Sequence, residues 1–279
     1  MNRKLICVNG QLLDFREPRI MGILNVTPDS FFADSRFSDQ EAIEGRIGQM
    51  VEEGVDILDI GGYSTRPGAA EVSVQEELDR VLPAVQLAKE IAPDLPVSVD
   101  TFRARVASES VRAGAGIIND VSGGTLDDDM FDTVAELQVP YILMHMRGTP
   151  ETMQSLAKYR NVLPEVLDEI QRPFSELRNR GLRDIVIDPG LGFAKTVEQN
   201  FELLQNLEHF RLFEAPVLVG LSRKSFIWKT LGKKPDEILS ATSALHAVAL
   251  LKKADILRVH DVKEAVEVRK LLNTNCLGL

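Results

Sequence analysis

Short apolar runs alternate along this chain with longer stretches in which apolar residues recur every three or four positions. In the stretch after the first run, Ile43, Ile47, Met50 and Val51 form one apolar stripe, as expected for an amphipathic helix. Eight runs have the composition and length of β-strands, at 20–24, 57–60, 97–99, 116–118, 141–144, 185–187, 217–219 and 256–259. The pattern therefore predicts eight strand–helix units.

Regular alternation of strands and helices predicts an α/β fold with a parallel sheet and right-handed crossovers. Eight units in about 250 residues fit a closed (β/α)8 TIM barrel better than an open doubly wound sheet, which is the alternative. Before the first unit, residues 4–8 and 11–15 flank Asn9-Gly10, a signal for a type I′ β-hairpin. We expect this N-terminal hairpin to close the end of the barrel at which the strands begin.

Composition narrows the possible partners and compartments. The chain has 279 residues, 44% of them hydrophobic, and a formal net charge of −10, without a Lys/Arg-rich run. We therefore expect one folded domain over 1–279 that binds no nucleic acid. No apolar stretch is long enough to span a bilayer, and residues 1–15 lack the apolar centre of a signal peptide. Cys7 and Cys276 form neither a disulfide framework nor a zinc motif, so the expected location is the cytoplasm.

Polar residues follow every predicted strand, at the end where parallel barrels build their active sites. Each one taken singly is more often a helix N-cap or a turn former. Eight polar strand ends on one rim weaken that interpretation. In chain order they are Asn25, Thr65 with Arg66, Asp100, Asn119 with Asp120, His145, Asp188, 222–224 and 258–261.

The loops after the last two strands carry the strongest physical signal. Arg223 and Lys224 stand at the start of a predicted helix, where a cation opposes the helix dipole by roughly 0.3–1 kcal/mol. Arg258 and His260 follow the neighbouring strand. Together they predict a basic pocket in an acidic protein, at the place where such barrels commonly hold phosphate.

Three amide or carboxylate side chains belong to the same predicted rim. Asp100, Asn119 and Asp188 suit a planar heterocycle with adjacent N–H groups, although two carboxylates can also act as acid and base or bind Mg²⁺. The spacing does not separate these alternatives. Met144 is typical of core filling, or of a floor under a flat ligand. We assign Asp59 to strand packing and leave it out of the predicted site.

Two long connections, 25–37 and 61–73, have the Gly, Pro and Ser content of mobile lids. They are expected to close over a substrate and exclude water. Phe31 and Phe32 belong to the first lid, and packing against the barrel is the alternative for them.

The strand-end residues lie in motifs that resemble those of the dihydropteroate synthase family. The matching stretches are GILNVTPDSFF from Gly22, DIGGYSTRPGA from Asp59, VSVDT from Val97, GIINDVSGG from Gly116, LMHMRGTP from Leu143, IDPGLGFAKT from Ile187, VGLSRKSF from Val219 and RVHDV from Arg258. The resemblance implies a barrel enzyme of bacterial folate synthesis. It condenses 6-hydroxymethyl-7,8-dihydropterin diphosphate with p-aminobenzoate, uses Mg²⁺ and forms a homodimer.

The resemblance also implies a role for each matching residue. Asn25 corresponds to the Mg²⁺ ligand, and Thr65, Arg258 and His260 correspond to diphosphate contacts. The pterin partners are Asp100, Asn119, Asp188 and Lys224, with Met144 against the ring. Phe31 or Phe32, Pro67, Lys224 and Ser225 correspond to the walls of the p-aminobenzoate pocket, where sulfonamides compete in this family.

Two other activities share part of this pattern. A barrel that passes a methyl group from a reduced pterin to a corrinoid protein would need Asp100, Asn119 and Asp188 but no diphosphate pocket. A catalytically silent pterin-binding protein would not need Asn25 or Lys224. Tyr63 and the segment 33–37 depart from the family pattern, both within lids.

Overall fold

The computed structural model describes residues 4–27, 36–63, 72–149 and 151–273, and side chains in the first helix from residue 40 onward. The strands in these ranges are β1 (Leu5–Val8), β2 (Gln11–Asp14), β3 (Arg19–Asn25), β4 (Ile57–Gly61), β5 (Val97–Asp100), β6 (Ile117–Asp120), β7 (Tyr141–Met144), β8 (Ile185–Asp188), β9 (Leu218–Gly220) and β10 (Ile256–Val259). The α-helices are α1 (Arg36–Glu53), α2 (Val74–Ile91), α3 (Ala104–Arg112), α4 (Met130–Leu137), α5 (Val162–Asn179), α6 (Val197–Gln205), α7 (Ser225–Leu231), α8 (Leu239–Leu251) and α9 (Val262–Asn273).

Strands β3 to β10 form one parallel sheet that closes on itself. The strand order is β8-β7-β6-β5-β4-β3-β10-β9, so that neighbours along the chain are neighbours in the sheet. The two edges meet where Ile187 bridges Val217, and Ile187 N donates to Pro216 O at 2.8 Å. This order and closure confirm the (β/α)8 barrel over the open sheet.

The end of the barrel at which the strands begin is filled by apolar side chains. A separate buried cluster contains one residue from each of seven barrel strands: Met21, Ile57, Ile117, Ile142, Val186, Leu218 and Ile256. Ile6 and Val8 of the hairpin are buried in this cluster, and Leu13 and Phe15 pack against it. Asn9 and Gly10 have φ of 49° and 80°, the positive values that a type I′ turn requires. The predicted hairpin and its closing position are therefore confirmed.

The helices cover the outside of the barrel with their apolar faces. In α1, Ile47 and Met50 are fully buried, whereas Val51 is 39% exposed, so the predicted stripe is one residue too wide. One step along a helix turns a side chain by about 100°, which carries Val51 away from the barrel. Helix α2 begins with a capping box between Ser73 and Glu76. No helix within the described residues has the length and apolarity needed to cross a membrane.

Candidate active site

The inner wall of the barrel changes from apolar to polar within two residues along several of its strands. Because strand side chains alternate between the two faces, the residue two positions after each member of the apolar cluster faces the same interior. In the seven barrel strands those positions hold Ile23, Asp59, Asn119, Met144, Asp188, Gly220 and Arg258, of which four are polar side chains. The strand register therefore places a polar layer directly above the closed end, at the mouth of the barrel.

Arg258 lies at the centre of this polar layer and connects three strands. Its Nε donates to Asp59 Oδ2 at 2.6 Å, and its Nη2 donates to Asp100 Oδ2 at 2.5 Å. Asn119 Nδ2 also donates to Asp59 Oδ2, at 3.1 Å. Burial opposes the charge of Arg258, but the two carboxylates outweigh burial and raise its pKa. The guanidinium is therefore held in one orientation by charge-assisted hydrogen bonds.

Asp59, which the sequence analysis assigns to strand packing, lies in the same hydrogen-bonded cluster as Arg258 and Asn119. It is fully buried, and its Oδ1 accepts no hydrogen bond from the part of the chain that the structure describes. A buried acceptor in this condition is available to a donor from outside the described residues. The register signal could have found it, since Asp59 follows Ile57 by two residues as Arg258 follows Ile256.

Asp188 and Lys224 occupy the side of the mouth next to the barrel closure. Asp188 Oδ1 accepts from Gly190 N at 2.7 Å. Lys224 is the N-cap residue of α7, and its Nζ lies 3.9 Å from the centroid of the Phe193 ring. Burial and then the charge of Arg258 lower the pKa of Lys224 to about 8, although Asp188 and Asp100 oppose the shift. Lys224 therefore shares one electrostatic environment with Arg258 and both carboxylates.

His260 faces this cluster from the loop after β10, as a neutral imidazole. Its Nδ1 lies 3.0 Å from Ser222 Oγ, and its backbone N donates to the same oxygen at 3.2 Å. Burial, followed by the charges of Arg223 and Arg258, lowers the pKa of His260 to about 3. His260 therefore offers a neutral N–H or lone pair at pH 7.

The predicted basic pocket contains three carboxylates as well as two cations. Arg223 turns outward, where its Nη2 donates to Asp261 Oδ1 at 2.8 Å. Lys224 and Arg258 remain, together with Asp59, Asp100 and Asp188. The sequence pattern located the cations correctly, but it could not show that buried carboxylates reach the same point.

Asp100 and Asp188 have pKa values above that of a carboxyl group in water. Burial, and then the like charges of Asp59, Asp120 and Glu77, raise the pKa of Asp100 to about 7 against the attraction of Arg258. Burial also raises the pKa of Asp188, against its bond from Gly190 and the charges of Lys224 and Arg258. Ionisable groups with perturbed pKa values in one cleft are typical of functional sites.

Asn25 ends β3 at the same rim. A Cβ built on Gly61 would lie 3.5 Å from Asn25 Oδ1 and 3.6 Å from Asp100 Cβ, so the missing side chain of Gly61 leaves space between them. The described residues contain no group of three histidine, cysteine or acidic side chains that could hold a metal ion. Mg²⁺ commonly takes one or two protein oxygens and completes its shell with water and substrate phosphates. An amide oxygen at an open rim fits that arrangement.

Other predicted residues lie away from the polar layer or outside the described ranges. Asp120 accepts from the Tyr141 hydroxyl at 2.7 Å, and His145 contacts Glu169 and Lys195. Met144 is 4% exposed in a small apolar cluster at the mouth, which suits both core filling and a floor under a ligand. Ser225 is the first residue of α7. Phe31, Phe32, Thr65 and Pro67 lie outside the described residues.

Comparison with known sequences gives a consistent family. A family model described as "Pterin binding enzyme" matches residues 21–260. A dihydropteroate synthase of Synechocystis sp. is 42% identical over 255 residues, which are 90% of this chain and 88% of that protein. A folate synthesis bifunctional protein of Arabidopsis thaliana is 40% identical over 96% of this chain, and the chain spans 59% of its length.

Solved structures agree with this result. A dihydropteroate synthase of Xanthomonas albilineans with 4-aminobenzoic acid superposes with a TM-score of 0.90 at 38% identity, covering 97% of both chains. The same enzyme with 7,8-dihydropteroate superposes with a TM-score of 0.86 at 36% identity, covering 96% of this chain and 97% of that one.

Proposed function

The chain belongs to the dihydropteroate synthase family of pterin binding enzymes, and we propose that the polar layer at its barrel mouth carries out the family's reaction. The reaction joins 6-hydroxymethyl-7,8-dihydropterin diphosphate to p-aminobenzoate. The products are 7,8-dihydropteroate and pyrophosphate, and the step belongs to folate biosynthesis. The observation that carries this assignment is the buried cluster in which Arg258 bonds Asp59 and Asp100 beside Asn119, Asp188 and Lys224.

The pterin ring is recognised by the acceptors of this layer. Asp188 and Asp100 accept hydrogen bonds from the exocyclic amine and the ring N–H groups, and Asn119 supplies both a donor and an acceptor. Asp59 Oδ1, which accepts no hydrogen bond from the described residues, is proposed as a further acceptor. Met144 packs against the ring face.

The diphosphate is received by the cations. Arg258 presents a guanidinium with a defined direction, and Lys224 provides a second charge at the N-terminus of α7. His260 contributes a neutral N–H, and Thr65 is proposed as a further donor. Asn25 would hold Mg²⁺, which when bound neutralises charge on the phosphate oxygens.

The chemical step needs no covalent nucleophile from the protein. The bond between the pterin methylene carbon and the bridging oxygen breaks, and both electrons leave with the pyrophosphate. The arylamine nitrogen forms the new bond to carbon and then loses a proton. Lys224 and Arg258 stabilise the charge growing on the leaving group, and Asp100 offsets positive charge on the ring. Exclusion of water by the two lids protects that carbon from hydrolysis.

The arylamine pocket is proposed to lie beside the diphosphate. Lys224 and Ser225 form its wall on the α7 side. Pro67 and either Phe31 or Phe32 supply the remaining walls from the lids.

Two broader properties complete the proposal. We propose that the chain forms a homodimer, and α8, whose terminal Leu239 and Leu251 are 40% and 44% exposed, is the candidate interface. Sedimentation equilibrium that shows only monomer at micromolar concentration would contradict it. We place the reaction in the cytoplasm, where a chain with two cysteines and no disulfide framework is common.

The decisive experiment measures pteroate and pyrophosphate together, using purified protein, the pterin diphosphate, p-aminobenzoate and Mg²⁺. Lys224→Ala should lower kcat/KM about 100-fold, as expected when a cation that stabilises the transition state is removed. Lys229→Ala is the matched control, because Lys229 lies in the last turn of the same helix, exposed and against Trp228. Equal activity of the two variants, or no product from the unmodified protein, would reject the proposal.

A second experiment tests the metal. Protein treated with a chelator should lose turnover and recover it on addition of Mg²⁺, and Asn25→Ala should raise the Mg²⁺ concentration that gives half-maximal rate. Turnover that survives chelation would remove Mg²⁺ and Asn25 from the mechanism.

A further inference from the structure

Lys195 is a buried lysine with a complete set of hydrogen-bond acceptors. The residue is 4% exposed. The Nζ atom lies 2.9 Å from Gly190 O, 3.0 Å from Phe193 O and 3.0 Å from His145 Nδ1. An ammonium group has three N–H donors, so three acceptors satisfy it fully.

The histidine among these acceptors is fixed in one tautomer. His145 Nε2 lies 2.9 Å from Glu169 Oε2, and a carboxylate only accepts, so Nε2 carries the proton. Nδ1 is then free to accept from Lys195. Burial and the charge of Lys195 lower the pKa of His145 to about 4, which keeps the ring neutral. Glu169 is itself held by Arg147, whose Nε lies 3.0 Å from Oε2.

The loop that Lys195 holds runs from Asp188 to α6 and has a strained backbone. Gly190, Gly192 and the buried Ala194 have φ of 68°, 87° and 48°, and the left-handed region is unfavourable for alanine. A Cβ on Gly190 would lie 1.9 Å from His145 O, which shows how closely the loop is pressed onto the end of β7. Strained segments persist only where surrounding contacts hold them.

The same loop carries groups of the active site. Asp188 accepts from Gly190 N, and the Phe193 ring covers Lys224 Nζ at 3.9 Å. Lys195 has no role in the proposed chemistry, yet it donates hydrogen bonds to the carbonyl groups of both Gly190 and Phe193. One buried cation therefore ties the part of the loop beside Asp188 to the part beside Lys224.

We propose that Lys195 is a positioning residue for the synthase reaction: its ammonium fixes the loop 189–196 so that Phe193 stays over Lys224. The inference rests on the proposed function, because Lys224 is where the effect is read. It requires no contact between Lys195 and either substrate.

The charge of Lys195 depends on its surroundings. Burial lowers the pKa of Lys195 to about 7; Asp188 and Glu169 favour the charged form, and Lys224 and Arg147 oppose it. Assays near pH 6 keep the ammonium protonated and are the proper condition for the test.

The test is a double-mutant cycle in kcat/KM with Lys195→Met and Phe193→Leu. Lys195→Met should lower kcat/KM at least about tenfold because the loop is displaced, and small displacements of catalytic groups reduce the rate strongly. In the Phe193→Leu background, Lys195→Met should lower kcat/KM by less than about twofold, because the ring through which Lys195 acts has been removed. A loss of equal size in both backgrounds, or no loss in the first, would overturn the inference.

Lys4→Met is the matched control. Lys4 forms a partly buried ion pair with Asp255 at 2.6 Å, at the opposite end of the barrel. It should lower thermal stability and leave kcat/KM within about twofold. Amide hydrogen exchange in 189–196 should accelerate in Lys195→Met and not in Lys4→Met.

A second variant keeps the inference open to rejection if Lys195→Met does not fold. His145→Leu leaves Lys195 in place with two of its three acceptors, and its effect should also shrink in the Phe193→Leu background. The unmodified protein, assayed in parallel, distinguishes a failure of the proposed function from a failure of the role of Lys195. Absence of turnover there contradicts the proposed function, whereas normal turnover with additive losses contradicts only the role of Lys195.

Discussion

The two ends of the barrel are built from the same strands but perform different tasks. At the closed end, Ile57 and Ile256 pack with Ile6 and Val8 of the hairpin. Two residues further along the same strands, Asp59 and Arg258 form a buried ion pair at 2.6 Å. One step of the strand repeat thus separates a layer stabilised by apolar burial from a layer held by charges and hydrogen bonds. The difference suggests that stability and activity can be changed separately, provided that variants are chosen by layer.

The largest effect is expected from Arg258→Ala. It removes a cation at the diphosphate position, and kcat/KM should fall about 1000-fold. It also leaves Asp59 buried without the cation that it pairs with, so the free energy of unfolding should fall by about 3 kcal/mol. Steady-state kinetics and urea unfolding measure the two effects.

Arg269→Ala is the control from the closed end. Arg269 bonds Asp56 and the Pro18 carbonyl oxygen and is similarly buried. It should lose stability and keep its kcat/KM. If Arg258→Ala and Arg269→Ala have equal stability and show the same loss of kcat/KM, the proposed division of tasks between the two ends is wrong.

The next largest effect is a loss of stability without a loss of rate. Ile6→Ala creates a cavity in the apolar cluster, because Ile6 is 2% exposed there. The free energy of unfolding should fall by about 2–4 kcal/mol, while kcat/KM is unchanged. Leu12 of the same hairpin is 72% exposed, so Leu12→Ala should change neither the free energy of unfolding nor kcat/KM. A lowered kcat/KM in folded Ile6→Ala would show that the ends are coupled.

A smaller effect concerns pH. The pKa of Asp100 is raised from 3.8 to about 7, chiefly by burial, so between these values the folded protein binds a proton that the unfolded chain releases. This contribution to stability is complete below about pH 4 and is lost as the pH rises to about 7. Asp100→Asn should remove it. The free energy of unfolding of the unmodified protein should therefore fall relative to that of Asp100→Asn as the pH rises across this range, and parallel curves would contradict the assignment.

The smallest effect is expected from Arg223→Ala. Its guanidinium is 48% exposed and pairs with Asp261 away from the polar layer. Exposed ion pairs contribute about 0–1 kcal/mol, so stability should change little and kcat/KM should stay within about twofold. A large loss of rate would restore Arg223 to the anion pocket.

The sequence predicts elements better than it predicts contacts between them. Strands 141–144 and 256–259 were predicted with the bounds that the structure has, since their apolar runs end at polar residues. The positions of Asp100, Asn119, Asp188 and Arg258 at one rim follow from the same reasoning. Asp59 was missed because an acidic residue inside a strand looks structural until its partner on another strand is known. Arg223 pairs with Asp261 instead of entering the pocket, and the sequence gives no signal for that ion pair or for the positive φ of 59° at this residue.

The closure of the barrel has a mechanical consequence. Most neighbouring strands pair over three to five residues, whereas β8 and the start of β9 meet through the single bridge between Ile187 and Val217. Asp188 lies on one side of this seam and Lys224 on the other. A pterin diphosphate held by both side chains would span the seam and join its two edges. Substrate binding should therefore reduce the motion of this seam, which has the fewest hydrogen bonds between strands. In the enzyme without substrate, local opening of the barrel should begin there.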